Sequence, residues 1–375
     1  MGLDQREKLM LYKEIVEKIS VGVEKKLKQK EYLKEGLFEV VDQGQSLVGG
    51  FSNDSSLVVK CDLPVIVFGD HTKCVKFIDF PFVAGADGVK VLRAKECADA
   101  KFLYYYTLLL TKKMIDKGYA RHYQFLEKME VNIPSFDEQK RIVNKIEELF
   151  SELDSAVETL KKTKEQLAVY RQSVLKEAFD ENFETVLFGT IMQSRLGKML
   201  DAAKNIGKPQ KYLRNINVRW LGFDLDDLQE MKIEDSEHDK YLLKNGDLIM
   251  CEGGEPGRCA VWDKGDGMFF QKALHRIRFN GEENPKFYMY YFLLLAQSDG
   301  LKKYFTGSGI KHLTGQSLVK IVVPVAPLKK QNEIIKKIES QFTVCENIAR
   351  TVNDALTQAD AMRQSILKKA FEGSL

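Results

Sequence analysis

The nine residues Arg171-Gln-Ser-Val-Leu-Lys-Glu-Ala-Phe179 return 192 positions later as Arg363-Gln-Ser-Ile-Leu-Lys-Lys-Ala-Phe371, with seven of the nine positions identical. The same offset pairs Ile146 with Ile338 without a gap. Self-similarity at a fixed offset is the signature of a repeated architectural unit. A segment of about forty residues is therefore duplicated in this chain.

The repeat extends upstream of these segments. Residues 101–110 (KFLYYYTLLL) match residues 286–295 (KFYMYYFLLL) at seven of ten positions, at an offset of 185. Between the two matching blocks, Arg121-His122 pairs with Lys311-His312 at an offset of 190. Such a drift in offset places short insertions in loops. Each half of the chain is therefore predicted to be a globular domain followed by a long helix.

Both duplicated segments carry a narrow apolar stripe with a period of 3.5 residues, which is typical of a coiled coil. If Ile146 and Ile338 occupy position a, most a and d positions are apolar. The residues predicted for this seam are Ile146, Leu149, Leu153, Leu160, Leu167, Val174, Ile338, Ile348, Val352, Met362 and Ile366. The prediction is that the two helices pair with each other. The alternative is that each helix packs on its own domain through an amphipathic face.

The globular parts, 36–134 and 185–325, contain short apolar runs separated by Gly, Asn and Asp. These runs predict strands, at residues 57–60, 65–68, 89–92, 247–250 and 275–279, and helices near 99–116 and 285–304. The fold class is therefore α+β, with two mixed domains. A charged N-terminal helix is predicted from Asp4 through Leu27, within about residues 4–30.

Composition narrows the functional class. A chain of 375 residues is long enough for two or three domains, and two are expected. The net charge of +3 is far from the strong basicity of a protein that binds nucleic acid over its whole surface. The six cysteines form no CxxC pair, so neither a zinc site nor a disulfide framework is expected. With no secretory signal and no apolar run of ~18 residues, a cytoplasmic protein without a membrane segment is expected.

Catalytic motifs are not recognisable in the sequence. Asn284-Pro-Lys-Phe287 lacks the second proline of an amino-methyltransferase loop, and Gly253-Gly-Glu-Pro-Gly257 is followed by Arg258 rather than the Lys-Ser/Thr of a phosphate-binding loop. The five histidines show no metal spacing and no nucleophile signature. No catalytic residue, metal or cofactor is therefore predicted.

Several motifs resemble those of one known family. The junction Ile133-Pro-Ser-Phe-Asp-Glu-Gln-Lys-Arg-Ile-Val143, its counterpart Val323-Pro-Val-Ala-Pro-Leu-Lys-Lys-Gln331 and the two Arg-Gln-Ser-x-Leu-Lys-x-Ala-Phe segments resemble the specificity subunit of Type I restriction-modification enzymes. Tyr212-Leu-Arg-Asn-Ile-Asn217 and Leu243-Lys-Asn-Gly-Asp-Leu-Ile-Met250 are similar to elements of that family's recognition domains. The first half lacks the Tyr-Leu-Arg-Asn element and differs from the second over residues 36–80.

The resemblance, which covers nearly the whole chain, implies a division into four segments. These are a first target recognition domain at 1–136, a first conserved long helix at 137–182, a second target recognition domain at 183–327 and a second conserved long helix at 328–375. It also implies that the helices pair antiparallel, with a pseudo-twofold repeat. A forty-residue helix is ~60 Å long, so the pair is expected to act as a ruler along DNA.

The function that the resemblance implies is DNA targeting without catalysis. Each recognition domain is expected to read one half of a bipartite, asymmetric target in double-stranded DNA. The partners are two methylation subunits, which dock on the coiled coil, and restriction subunits, which join through the complex. Two other classes remain open, namely a coiled-coil adaptor that binds proteins and a DNA-modifying enzyme with an unrecognised motif.

Base edges are read by Arg and Lys on guanine and by Asn and Gln on adenine, with Ser and Thr less selective. Candidate DNA-contacting residues are the polar side chains in turn-like stretches. In the first domain they are Gln43, Gln45, Ser46, His71, Thr72, Lys73, Arg121, His122, Tyr123 and Gln124. In the second domain they are Arg214, Asn215, Asn217, Arg258, Gln271, Lys272, Lys311, His312, Thr314 and Gln316.

The alternative for any single candidate is a solvated surface residue. The repeated pairs Arg121-His122 and Lys311-His312 are predicted to hold phosphate in both halves. Their alternative is a shared packing contact of the His ring.

Overall fold

The computed structural model describes residues 8–115, 120–201 and 203–374. The chain divides into two compact units, of which the first holds residues 1–160 and 354–375 and the second holds residues 161–353. Two long helices, α4 (Phe136–Ala178) and α8 (Leu328–Phe371), each begin in one unit and end in the other. The two long helices predicted from the repeat are thus confirmed.

The described residues of the first unit form three small sheets and three shorter helices besides α4 and the end of α8. Its strands are β1 (Lys8–Leu11), β2 (Val16–Ile19), β3 (Phe38–Val41), β4 (Gly50–Ser52), β5 (Val65–Gly69), β6 (Val75–Ile78), β7 (Phe82–Ala84), β8 (Val89–Ala94) and β9 (Glu130–Ile133). Its shorter helices are α1 (Tyr12–Ile15), α2 (Ala100–Lys113) and α3 (Tyr123–Leu126). The sheet orders are β2-β8-β5-β6, β4-β3-β7 and β1-β9.

The second unit contains the remaining elements. Its strands are β10 (Glu184–Leu187), β11 (Met192–Leu196), β12 (Lys208–Leu213), β13 (Val218–Arg219), β14 (Gly222–Phe223), β15 (Gln229–Ile233), β16 (Leu248–Cys251), β17 (Cys259–Val261), β18 (Phe269–Phe270), β19 (Leu274–Phe279) and β20 (Val322–Val325). Its shorter helices are α5 (His238–Tyr241), α6 (Pro285–Gln297) and α7 (Gly315–Leu318). The main sheet orders are β11-β19-β16-β17, β15-β12-β18 and β10-β20, with β13-β14 as a small hairpin.

The two units share one topology. In each, a four-stranded antiparallel sheet is accompanied by a three-stranded sheet whose middle strand pairs parallel with one neighbour, β3 with β7 and β12 with β18. The sequences of these strands differ, yet their order and direction agree. The α+β class and the internal repeat are therefore confirmed, and the repeat extends through the globular parts where sequence identity is lost.

A buried glutamine joins each globular part to the start of a long helix. Gln139 accepts a hydrogen bond from the Asp99 backbone N–H at 2.7 Å, and Gln331 accepts one from the Asn284 backbone N–H at 2.8 Å. Asp99 and Asn284 cap the N-termini of α2 and α6. Both glutamines are only 1% exposed. Each long helix is thus attached to the core helix of its unit by a repeated polar contact.

The end of each long helix completes the core of a unit. In the first unit, Phe371 stacks on Tyr106 with 4.4 Å between ring centroids, and in the second, Phe179 lies 5.1 Å from Phe287. Leu367 and Leu175 are buried in the corresponding cores. The duplicated nine-residue segments are therefore core-forming ends, which explains why a near-identical sequence is found twice.

The long helices pair antiparallel within the second unit. Lys164 Nζ donates to Asn353 Oδ1 at 3.1 Å, Arg171 pairs with Glu346 at 3.5 Å, and Glu177 pairs with Lys337 at 2.7 Å. As the residue number rises along α4, the number of its partner on α8 falls. This ordering confirms the antiparallel direction predicted for the pair.

The seam of the paired helices requires a correction. On α8 the predicted a positions Ile338, Val352 and Ile366 are buried, but the d positions Ile348 and Met362 are 40% and 53% exposed. The second stripe falls one residue later, at position e. Its members on α8 are Phe342, Ala349, Leu356, Arg363 and Ala370, which are buried or half-buried. Because apolar residues also occur at d, the sequence pattern alone selected the wrong neighbouring stripe.

Two further predictions are wrong. Residues 8–19 form β1, α1 and β2 rather than a charged helix, because Tyr12 and Ile15 are fully buried and β2 pairs with β8. Residues 1–7, which include the predicted start at Asp4, lie outside the described residues. The predicted strand at 57–60 is a short turn with a single isolated bridge. The other four predicted strands are observed as β5, β8, β16 and β19.

The corrected seam predicts unequal effects of two charge substitutions on α8. Val352→Asp places an unpaired carboxylate at a position that is 4% exposed, and we expect the free energy of unfolding to fall by about 3–5 kcal/mol. Met362→Asp is the matched control and should change it by less than about 0.5 kcal/mol. Urea denaturation followed by circular dichroism measures both. If the free energy of unfolding fell equally in the two variants, the original assignment of the seam to positions a and d would be correct.

Candidate nucleic-acid interface

In the first unit, the loop after β3 is fastened to the hairpin between β5 and β6. Thr72 Oγ1 donates to the Gln43 carbonyl oxygen at 2.7 Å, and the His71 backbone N–H donates to Gln43 Oε1 at 3.2 Å. Cys74 Sγ contacts the Gly44 carbonyl oxygen at 3.2 Å. Two of the predicted stretches, far apart in sequence, thus form one polar surface. This first platform consists of Gln43, Gln45, Ser46, His71, Thr72 and Lys73.

The first platform borders a groove of ≈350 Å³ that Gln45, Thr72, Lys73 and Lys112 help to line. Lys73 has a φ of +58°, a conformation that non-glycine residues adopt at a cost and that recurs at functional sites. The ring of His71 approaches the Ala120 carbonyl oxygen at 3.3 Å through Nδ1. The hairpin therefore presents polar and basic side chains from a fixed backbone.

In the second unit, the loop after β12 meets the hairpin between β16 and β17. Arg258 Nη2 donates to the Asn215 carbonyl oxygen at 2.8 Å. A Cβ added at Gly254 would lie 2.8 Å from Asn215 Nδ2, and one at Gly253 would lie 3.0 Å from His312 Nδ1. Gly254 has a φ of +77°, a conformation that favours glycine and that brings the hairpin backbone close to the Asn215 side chain. The second platform is defined as Asn215, Gly253, Gly254, Arg258 and His312.

Two more predicted residues adjoin the strand that leads to the second platform. The Gln271 backbone N–H donates to the Leu213 carbonyl oxygen at 3.1 Å, and the Lys272 N–H donates to the Lys198 carbonyl oxygen at 2.9 Å. The Lys272 side chain is exposed, and Gln271 is half-buried. Lys272 therefore adds an available positive charge beside the platform.

Three predicted contact residues are buried and require correction. His122 is 1% exposed, with Nδ1 2.9 Å from the Asp70 carbonyl oxygen, and Tyr123 is 8% exposed. Asn217 is 1% exposed, and its amide bonds Arg214, Asp224 and Asp227 backbone atoms at 2.9–3.0 Å. These side chains hold loops in place and do not reach the surface where a base would lie.

The repeated basic pairs are not structurally equivalent. The His122 N–H donates to the carbonyl oxygen of Asp70, while the Leu313 N–H donates to that of Glu252, and Asp70 and Glu252 both follow the corresponding strands β5 and β16. Leu313, rather than His312, is thus the counterpart of His122. The apparent duplication arises from a one-residue difference in loop length, so the prediction of a shared phosphate site is not supported.

The remaining candidates divide into structural and exposed residues. Arg214 pairs with Asp227 at 2.6 Å, and Thr314 Oγ1 caps α7 by accepting from the Ser317 N–H at 3.3 Å. Arg121, Gln124, Lys311 and Gln316 are exposed. The four exposed side chains are accessible to a ligand, whereas Arg214 and Thr314 shape the backbone.

The chemistry of the described residues does not favour a nucleophile. Burial raises the pKa of the Cys251 thiol to about 11, and burial raises the pKa of Cys259 well above its usual range. Burial lowers the pKa of His275, whose Nε2 lies 3.0 Å from the Leu313 carbonyl oxygen. Both thiols are thus protonated near neutral pH. Among the described residues, no cluster of three metal-ligating side chains occurs.

One repeated contact was missed by the sequence analysis. Arg363 lies over the Phe150 ring at 4.7 Å and pairs with Asp154, and Arg171 lies over the Phe342 ring at 5.4 Å. Arg171 and Arg363 head the duplicated nine-residue segments, which was an available signal. The two rings, Phe150 and Phe342, are 213 and 171 residues away in sequence from their arginines, so only the antiparallel pairing identifies them.

The duplicated fold gives each of two similar units a polar platform of its own. The sequence matches the family model for the Type I restriction modification DNA specificity domain twice, over residues 12–168 and 188–358. The chain belongs to this family. Among described residues, no helix is long and apolar enough to cross a membrane.

Curated relatives include the Type I restriction enzyme EcoKI specificity subunit of Escherichia coli K12, which is 26% identical over 266 residues. The StySPI specificity subunit of Salmonella potsdam is 28% identical over 268 residues. Each match covers 65% of this chain but only 57% of the relative's length. The chain thus aligns with little more than half of these two relatives.

Two solved structures share the fold. A chain from a study of complex assembly and conformational transition of the type I R-M system has a TM-score of 0.72 at 15% identity, with 100% of both chains covered. The HsdS subunit from Thermoanaerobacter tengcongensis has a TM-score of 0.61 at 17% identity, covering 100% of this chain and 99% of that one. At these identities the likeness establishes the fold.

The corrected role of Asn217 can be tested by alanine substitution. Asn217→Ala removes three buried hydrogen bonds, and we expect the free energy of unfolding to fall by about 3 kcal/mol, seen as a melting temperature lower by several degrees. Asn215→Ala is the control, since no described residue bonds its side-chain amide. It should melt within about one degree of the parent. A stable Asn217→Ala variant would show that the buried network is not needed.

Proposed function

We propose that the chain is the sequence-specific DNA-binding specificity subunit of a Type I restriction-modification complex. The observation that carries the proposal is that two units whose main sheets share one topology present platforms with different polar side chains. The first platform has Gln43, His71 and Thr72, whereas the second has Asn215 and His312. Because different side chains read different bases, each unit reads one half of a bipartite, asymmetric target.

The charges of the two platforms fit a duplex partner. The groove beside the first platform is lined by Lys73 and Lys112, and Arg121 is exposed. In the second unit, the exposed basic residues are Lys272 and Lys311, of which Lys311 directly precedes His312 of the platform. Phosphate contacts fix the register of a protein on DNA, and base contacts supply the sequence information. A modest net charge of +3 is consistent with local rather than global attraction.

The paired helices are proposed to set the spacing between half-sites and to dock two methylation subunits. They are 43 and 44 residues long, or ~65 Å. Within the second unit, α8 exposes Val344 and Ile348, which are 50% and 40% exposed and lie four residues apart on one face. Exposed apolar side chains of this kind suit a protein partner. Restriction subunits would join through that complex.

The chain itself is proposed to catalyse nothing and to require no cofactor, and the complex is proposed to act in the cytoplasm. This role accounts for a protein whose polar loops are ordered by their own hydrogen bonds. The transfer of the methyl group would belong to the docked subunits.

Modular recognition predicts the outcome of a domain exchange. Replacing residues 185–325 with the second recognition domain of another family member should change one half of the methylated motif and leave the other half unchanged, because each unit has its own core and platform. Single-molecule sequencing of DNA from cells that also express the methylation subunits gives the motif. A simultaneous change in both halves would contradict independent reading.

The proposed ruler predicts the effect of lengthening both helices. Insertion of one heptad after Leu160 and another after Val352 preserves the seam and adds ~10 Å. At ~3.4 Å per base pair, the unread spacer should grow by about three base pairs. Insertion of four residues at each point is the control, since it displaces the seam and should reduce stability instead.

The measurement is again the methylated motif in cells. Unchanged half-sites separated by a longer spacer support the ruler. An active heptad variant with the original spacer would assign the distance to DNA bending or to the partner subunits.

A further inference from the structure

Gln43 and Asn215 occupy the same position in their units. In the first unit, Val41 at the end of β3 is opposite Ala84 on the parallel strand β7. In the second, Leu213 at the end of β12 is opposite Phe270 on the parallel strand β18. Gln43 and Asn215 each follow by two residues. Residues 36–80 share no recognisable sequence with the second half, so this equivalence is visible only in the fold.

The backbone at this position is held by the same contact, made by different side chains. The carbonyl oxygen of Gln43 accepts from Thr72 Oγ1, and that of Asn215 accepts from Arg258 Nη2. Both donors come from the hairpin of the neighbouring four-stranded sheet. Five residues separate β5 from β6, and seven separate β16 from β17, so the longer Arg258 side chain reaches from a differently shaped loop.

The preceding residue is also held in both units, again by unlike chemistry. Asp42 lies 3.5 Å from Lys76 Nζ, a lysine that is only 4% exposed. Its counterpart Arg214 pairs with Asp227 at 2.6 Å. The residue before the amide is acidic in the first unit (Asp42) and basic in the second (Arg214). In both units an ion pair holds this residue in place. Preorganisation of this kind lowers the entropy lost when a side chain binds a ligand.

The orientation of the Gln43 amide is determined. The His71 N–H must face an oxygen, so Oε1 points to His71, and a second lone pair on Oε1 and both Nε2 hydrogens remain for other partners. At Asn215, no described residue bonds the side-chain amide, and Gly254 leaves space beside Nδ2. An amide that offers an acceptor and a donor side by side matches N6 and N7 of adenine in the major groove.

We propose that Gln43 and Asn215 are a matched pair of adenine-reading residues, one for each half-site, and that Thr72 and Arg258 are the residues that position them. The proposal rests on the proposed DNA-binding function and names the side chains that determine specificity within it. It predicts one adenine in each half-site whose recognition depends on one amide.

Alanine substitutions test the two readers one at a time. In cells that express the chain with its methylation subunits, the fraction of sites methylated is measured for each base at each motif position. Gln43→Ala should reduce discrimination at one adenine position by about 10- to 100-fold and leave the other half-site unchanged. Asn215→Ala should do the same in the other half-site. Gln29→Ala and Gln193→Ala, which remove exposed amides elsewhere in each unit, should leave the motif unaltered.

Acidic substitutions give a more specific result. Gln43→Glu and Asn215→Asp replace the donor with a second acceptor, which suits the N4 amino group of cytosine. The preferred base at the affected position should move from adenine toward cytosine. A general loss of fold would lower methylation at all sites equally and could not produce a new preference at one position.

The positioning residues have a separate readout. Thr72→Val keeps the shape of the side chain but removes the bond to the Gln43 carbonyl oxygen, and it should weaken discrimination at the position that Gln43→Ala affects and at no other. Relaxation at a different position, or at none, would contradict the positioning role.

The outcomes separate the two levels of the account. If the parent chain directs no methylation motif compared with cells that lack it, the proposed function is wrong. If the parent directs a bipartite motif and all four reader variants retain it unchanged, the function stands and the adenine-reading proposal is overturned.

Discussion

The structure depends on how the end of each long helix is held. Arg363 lies over the Phe150 ring and pairs with Asp154, and eight residues later Phe371 stacks on Tyr106. In the second unit, Arg171 repeats the contact on Phe342. A planar guanidinium can stack on a ring and pair with a carboxylate at once. Lysine could not make both contacts with the same geometry.

This arrangement makes the two halves of the chain depend on each other. Leu367 and Ala370 belong to the core of the first unit, and Leu175 and Ala178 belong to that of the second. Each core therefore includes residues from a helix that starts in the other unit. Loss of one helix end would expose apolar surface in a unit whose remaining sequence is intact.

The repeat preserves the core and varies the loops. Helices α2 and α6 and the segments 171–179 and 363–371 remain similar because they fill the same space, while the loops after β3 and β12 use different side chains to reach one backbone shape. A rigid core that carries variable loops is how folds acquire new binding specificity. The ion pairs Asp42–Lys76 and Arg214–Asp227 show that even the supporting contacts can be replaced when the backbone position is retained.

The sequence predicted the features that depend on short-range pattern. The nine-residue repeat revealed the helices, and apolar runs located four of the five predicted strands. It could not show that Ile348 and Met362 on α8 are exposed, since both are apolar and fit the pattern of a seam. It also could not reveal that His122 is buried, because its partner Asp70 is 52 residues away. In residues 8–19, apolar and polar residues do not alternate regularly. The pairing of β1 with β9 and of β2 with β8 could therefore not be predicted from the sequence.

We propose that this chain decides which DNA sequences are modified. The most direct test is single-molecule methylome sequencing of a host that carries the chain and its methylation subunits, compared with the same host from which this chain alone is deleted. The account predicts a bipartite, asymmetric methylated motif that is present only when the chain is present. A motif that persists without the chain, or no methylated motif in either host, would contradict it.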